Sequence, residues 1–114
     1  MPVLFAQGDI LIEQISDFEM TGEPVAPGSD GAVVVAEGEE TGHRHAIYDR
    51  VTLFRDDSLA RDIPSGLYIG HLAVEDTSAR LVHPEHETIT LPRGTYRLRR
   101  QRQVEPMDVQ PIAD

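Results

Sequence analysis

The chain has no cysteine, no lysine and no tryptophan. Without cysteine there are no disulfides, no thiolate metal ligands and no thiol nucleophile, so any metal must be held by nitrogen and oxygen. Without tryptophan, and with only three Phe and three Tyr among 114 residues, the core must be built from Val, Ile, Leu and Ala, which favours β-branched packing. No run approaches the ~20 apolar residues of a membrane helix, and the start, Met1 to Asp9, lacks a basic segment followed by an apolar one. A cytoplasmic protein without a membrane partner is the expectation. The formal charge of −10 argues against nucleic acid as a partner, because affinity for a phosphate backbone comes from clustered cations.

The residues present fit one domain, with a β-domain expected over 1–104 and an acidic extended tail over 105–114. Turn formers recur at short intervals, from Gly8-Asp9 and Pro27-Gly28-Ser29 to Glu75-Asp76-Thr77-Ser78 and Pro92-Arg93-Gly94. The runs between them are short and rich in β-branched residues. The pattern predicts an all-β fold, a small barrel or two-sheet sandwich of about eight short strands, near 9–15, 32–37, 45–48, 51–55, 67–74, 79–82, 88–91 and 94–103. Segment 16–31 reads as a long irregular loop, and 57–63 allows one short turn of helix at most. Phosphate loops, dinucleotide fingerprints and a Gly-x-Ser-x-Gly elbow are absent.

Four of the five histidines fall in two clusters, Thr41-Gly42-His43-Arg44-His45 and His83-Pro84-Glu85-His86-Glu87. Side chains at i and i+2 of a strand leave the same face, so His43 and His45 can point at one centre. Pro84 breaks any strand through the second cluster and makes a loop in which His83 and His86 can approach each other. Together they could supply four nitrogens to one divalent ion, with Glu85, Glu87 or Asp49 as oxygen ligands or as acceptors for an imidazole N–H. That donor set suits Zn, Fe, Mn, Ni or Cu without selecting among them. The plainer alternative is that the histidines are solvated or hydrogen-bonded. His71, inside an apolar run, reads as a core histidine bonded to a backbone carbonyl.

All ten basic residues are arginine, and five of them lie between Arg93 and Arg102. In an extended 94–103, Tyr96, Leu98, Arg100 and Arg102 share one face, whose apolar start marks it as inward. Arg100 and Arg102 then reach the rim, where they could hold a small anionic ligand. The ordinary alternative is pairing with the protein's own carboxylates.

The His-x-His after a glycine-containing turn, followed by Pro92-Arg93-Gly94 in a β-rich chain, resembles the cupin family, in which two motifs line a small barrel and hold one metal. In that resemblance Asp49 stands where the first motif has glutamate, while Arg97 and Gln101 occupy the places of the second motif's histidine and asparagine. His83 or His86 would therefore replace the missing ligand. Over most of its length the chain also resembles a family of small uncharacterised bacterial and phage proteins. The likeness lies in Gln7-Gly8-Asp9-Ile10-Leu11-Ile12, in Glu37 to His45, and in His83-Pro84-Glu85-His86 leading to Leu91 through Arg102.

Two functions follow as expectations. The first is a divalent-metal-binding domain with His43, His45, His83 and His86 as ligands; if it is an enzyme, the metal would act on a small anionic substrate steered by Arg100 or Arg102. No catalytic residue is assigned. The second is an interaction or assembly module, with homo-oligomers among its partners, in which the histidines are incidental.

Overall fold

A computed structural model describes residues 4–16, 22–37, 43–64 and 66–101. The fold is all-β: among the described residues, eight strands form one antiparallel sheet, with a single 3-10 turn at Asp57–Leu59. The strands are β1 (Leu4–Gln7), β2 (Ile10–Ile15), β3 (Glu23–Pro24), β4 (Val33–Glu37), β5 (Arg44–Ile47), β6 (Val51–Arg55), β7 (Tyr68–Val82) and β8 (Ile89–Arg100). The main path runs β1-β2-β8-β7-β5-β4, and β6 joins β7 while carrying β3. The strand ladder does not close into a barrel, and the sheet folds over on itself in the manner of a sandwich. Among the described residues no helix is long and apolar enough to cross a membrane.

The long β7-β8 hairpin organises the sheet. The first half of β7 pairs β6 through Leu72↔Leu53, the second half pairs β5 through Leu81↔Ile47, and both halves pair β8. Sequence reasoning divides each of these strands in two, at Glu75 to Ser78 and at Pro92 to Gly94, whereas both run through. The turn-forming residues instead sit at an irregularity of the ladder, where the register shifts between Val74 and Ser78 opposite Gly94 and Pro92. A proline lacks the N–H that a regular ladder needs, and an irregularity inside a strand is one of the few places that tolerate it. The actual connection between β7 and β8 is the second histidine cluster, residues 83–88.

Strands β1 and β3 also depart from expectation. β1 is the outer partner of β2, with Leu4↔Glu13 through Gln7↔Ile10, and β3 lies inside the segment read as an irregular loop. The expected acidic tail, 105–114, lies outside the described residues.

Alternation along the strands places the core as the sequence implies. Ile10, Ile12, Ile47, Leu53, Leu72, Leu81, Leu91 and Leu98 are fully buried, and Tyr96 is the one aromatic ring among the largest fully buried side chains. Its hydroxyl donates to the carbonyl of Pro92, which satisfies its polar end inside an aliphatic core. Phe5 packs edge-on against the Tyr96 ring at 6.2 Å. The inward face expected for Tyr96 and Leu98 is the face they occupy.

Candidate functional site

Three separate pieces of chain meet at one end of the sheet. They are the β1-β2 turn at Gly8 and Asp9, the start of β5 with His43 just before it, and the β7-β8 connection carrying His83 and His86. The two histidine clusters come together there. Ring centroids lie 5.9 Å apart for His43 and His83, 4.4 Å for His45 and His83, 5.9 Å for His45 and His86, and 4.3 Å for His83 and His86. The pairing Ala36↔His45 turns the His45 side chain inward, and the residue is only 4% exposed.

Gln7, which sequence reasoning does not single out as a site residue, fixes this end. It is buried, and its amide nitrogen donates to the carbonyls of Leu81 at 2.9 Å and Glu87 at 2.8 Å. Both amide hydrogens are thus committed, so its Oε1, 2.7 Å from His45 Nδ1, must accept. His45 therefore carries its proton on Nδ1 and keeps a lone pair on Nε2. Its pKa is lowered to about 4, first by burial and then by the neighbouring His83, so the ring is neutral at physiological pH. A neutral imidazole with an oriented Nδ1–H is the form that ligates metals. The signal for Gln7 was a polar residue immediately before a Gly-Asp turn, but nothing in the sequence says that it is buried.

The other rings are held differently. His43 Nδ1 lies 3.7 Å from Glu85 Oε1, at a partly exposed position. His83 Nδ1 accepts the backbone N–H of Glu85 at 3.0 Å, so that nitrogen is engaged. Gly8, at φ +59°, passes so close that a Cβ there would meet His86 Nε2 at 2.8 Å and His45 Cε1 at 3.3 Å. As placed, the rings pack against one another, and among the described residues no group of three or more His, Asp or Glu side chains is arranged to hold a metal ion.

The expected oxygen donors divide. Glu85 borders His43 and His83, whereas the Glu87 side chain faces solvent and its backbone carbonyl takes the Gln7 bond. Asp49 belongs elsewhere: it accepts from the Arg80 backbone N–H at 2.7 Å and pairs with its guanidinium at 3.4 Å. Arg100 reaches the rim beside the histidines, where its Nη1 meets Asp9 Oδ2 at 2.8 Å and its Nη2 donates to the Glu37 carbonyl at 3.1 Å. Arg102 lies outside the described residues. A cleft of about 640 Å³ bordered by Arg44, Tyr48, His83 and Pro84 opens next to the cluster and lets a small molecule approach His83.

His71 is in the interior, 2% exposed, as expected for a core histidine. The partner of its Nδ1 is the Tyr68 hydroxyl at 2.6 Å, where a backbone carbonyl was anticipated. Arg97, which stands where the cupin pattern has histidine, forks onto Asp62 at 2.9 and 3.0 Å and reaches Glu13 at 3.2 Å.

These features define an all-β, sandwich-like domain with an imidazole cluster at one end. The chain belongs to a family described as a domain of unknown function (DUF8820), whose model matches residues 6–101. The family matched is an uncharacterised one. No curated protein and no solved structure matches the chain.

Proposed function

We propose that this domain binds one divalent metal ion through His43, His45, His83 and His86, and presents it to a small anionic ligand held near Arg100. The observation that carries this reading is the gathering of four imidazoles from two clusters nearly forty residues apart. A zinc–nitrogen bond of about 2.0–2.1 Å sets each ring centre roughly 3.2 Å from the ion, and a tetrahedral spread then separates ring centres by about 5 Å. Four of the six ring-to-ring separations, 4.3 to 5.9 Å, bracket that value. Coordination asks the rings to turn about their side-chain torsions, and His83 to release the Glu85 N–H if it binds through Nδ1, while the backbone stays in place. The metal would act as a Lewis acid or water activator, with the cleft at His83 as the approach. The lack of cysteine suits a cytoplasmic setting with nitrogen and oxygen donors.

The present packing of the rings favours a second reading, an interaction module in which stacked imidazoles close one end of the sheet. Elemental analysis of the protein purified without an affinity tag separates the two. A stoichiometric metal that is lost when His43 and His86 are replaced by alanine supports the first reading. Metal-free protein that takes up no Zn, Fe, Mn or Ni on titration at neutral pH overturns it.

A further inference from the structure

A second cleft, of about 540 Å³, opens where β4, the start of β7 and the end of β8 meet. Its volume lies within the ~300–1,000 Å³ of small-molecule sites. Val25, Val35 and Ile69 contribute to an aliphatic wall, and Arg55 and Arg100 stand on its border. The two guanidiniums differ in what they already hold. Arg100 is committed to Asp9 and to the Glu37 carbonyl. Arg55 is anchored through Nε to the Ile69 carbonyl at 3.0 Å, which leaves its two terminal nitrogens, and no ion pair engages it among the described residues.

The geometry points to this cleft as a binding site for a straight-chain monocarboxylate, its headgroup on Arg55 and its hydrocarbon tail along Val25, Val35 and Ile69. The guanidinium fork matches a carboxylate in two parallel bonds, and arginine tolerates an apolar border better than lysine does. Arg100 shares its charge with Asp9, so among the described residues Arg55 is the guanidinium on this border whose terminal nitrogens are left to receive an anion. The apolar wall selects against a bare phosphate, whose whole surface is polar. Ala36 also borders the cleft and is the register partner of His45, so a ligand bound here lies beside the histidine cluster. The inference deepens the anionic-ligand part of the function proposed above and rests on that part, not on the metal.

The test is a calorimetric titration of chelator-treated, metal-free full-length protein with butyrate, hexanoate, octanoate and 1-octanol, so that its result is independent of metal content. Affinity should rise about fourfold per added methylene as tail surface is buried. Octanol should bind at least tenfold more weakly than octanoate. Arg55→Gln should reduce octanoate binding to the octanol level and leave octanol unchanged, and Arg55→Lys, which keeps the charge without the fork, should fall between. Amide resonances of Val35 and Ile69 should shift on octanoate addition. Equal affinity for octanoate and octanol, the same affinity for all three chain lengths, or full octanoate binding by a folded Arg55→Gln protein overturns the proposal, as does the absence of octanoate binding.

Discussion

Replacing Gly8 with alanine tests whether the β1-β2 turn and the imidazole cluster act as one unit. Gly8 takes φ +59° at the first turn position after Gln7, while Asp9 keeps a negative φ, the pattern of a type II′ hairpin that calls for glycine there. An alanine at positive φ costs about 1–3 kcal/mol, or roughly 4–8 °C in melting temperature per kcal/mol for a domain of this size. The new methyl would also stand 2.8 Å from His86 Nε2 and 3.3 Å from His45 Cε1, so the rings must move. His86 sits in the β7-β8 connection and can turn away at little further cost in stability. Its nitrogen would then leave the cluster.

Gly31→Ala supplies the control. Gly31 has φ +84° and open space around its missing Cβ, so it pays the backbone strain without touching a histidine. Both variants should lose a similar melting temperature in differential scanning calorimetry. Only Gly8→Ala should lose metal affinity, by tenfold or more in a competition assay with a colorimetric chelator. If Gly8→Ala binds metal as tightly as the parent, or Gly31→Ala loses affinity equally, the turn does not support a metal site and the reasoning fails.

Gln7→Leu removes the acceptor of His45 and the donors to Leu81 and Glu87; with several buried polar groups left unpaired, unfolding by urea should show a loss of about 3 kcal/mol, and metal binding should weaken 10–100-fold. In the metal-free protein, the unfolded chain binds a proton at each histidine below pH 6.5 that folded His45 refuses until about pH 4, so stability should fall as pH drops through that window and level off below it, by about 3 kcal/mol for His45 alone. His71, lowered by burial and then by Arg97, adds to the same slope, whereas the Asp30, Asp49 and Asp62 carboxylates, lowered by their arginine and backbone partners, contribute only below the ordinary carboxylate range; a melting temperature that stays flat from pH 7 to pH 5 contradicts this. Arg97→Met should cost about 1–2 kcal/mol, less than a fully buried pair because Asp62 is largely exposed, and should raise the His71 pKa in an NMR titration while burial still holds it below 6.5. An unchanged His71 titration would show that Arg97 does not act on it.

How far the sequence reveals this arrangement depends on whether a residue's role is set by its neighbours in the chain or by distant ones. The inward face of β8 is a local property: Tyr96 and Leu98 alternate with Arg97 and Arg99, and alternation alone says which side is buried. The short 3-10 turn at Asp57–Leu59 is local too, because the Asp56 side chain accepts the Ser58 N–H within two residues. The continuity of β7 and β8 is not local. Glu75 to Ser78 and Pro92 to Gly94 each have the composition of a turn when read singly, and only their position opposite one another shows that the two irregularities absorb each other inside a paired ladder.

The candidate site follows the same division. The spacing of the histidines within each cluster is visible, but their meeting requires that residues 83–88 be the β7-β8 connection, and this depends on Pro92-Arg93-Gly94 failing to turn. Had the chain reversed at Gly94 instead, β8 would begin there, and His83 and His86 would sit one strand away from the hairpin tip. The burial of His45 is hidden in the sequence for a related reason. Pairing of Ala36 with His45 turns that ring inward, and Gln7, brought by the β1-β2 hairpin from 38 residues away, gives the buried imidazole its partner. An isolated buried His45 would be an unpaired polar group; with Gln7 it becomes a neutral imidazole of fixed tautomer, with a lone pair left on Nε2.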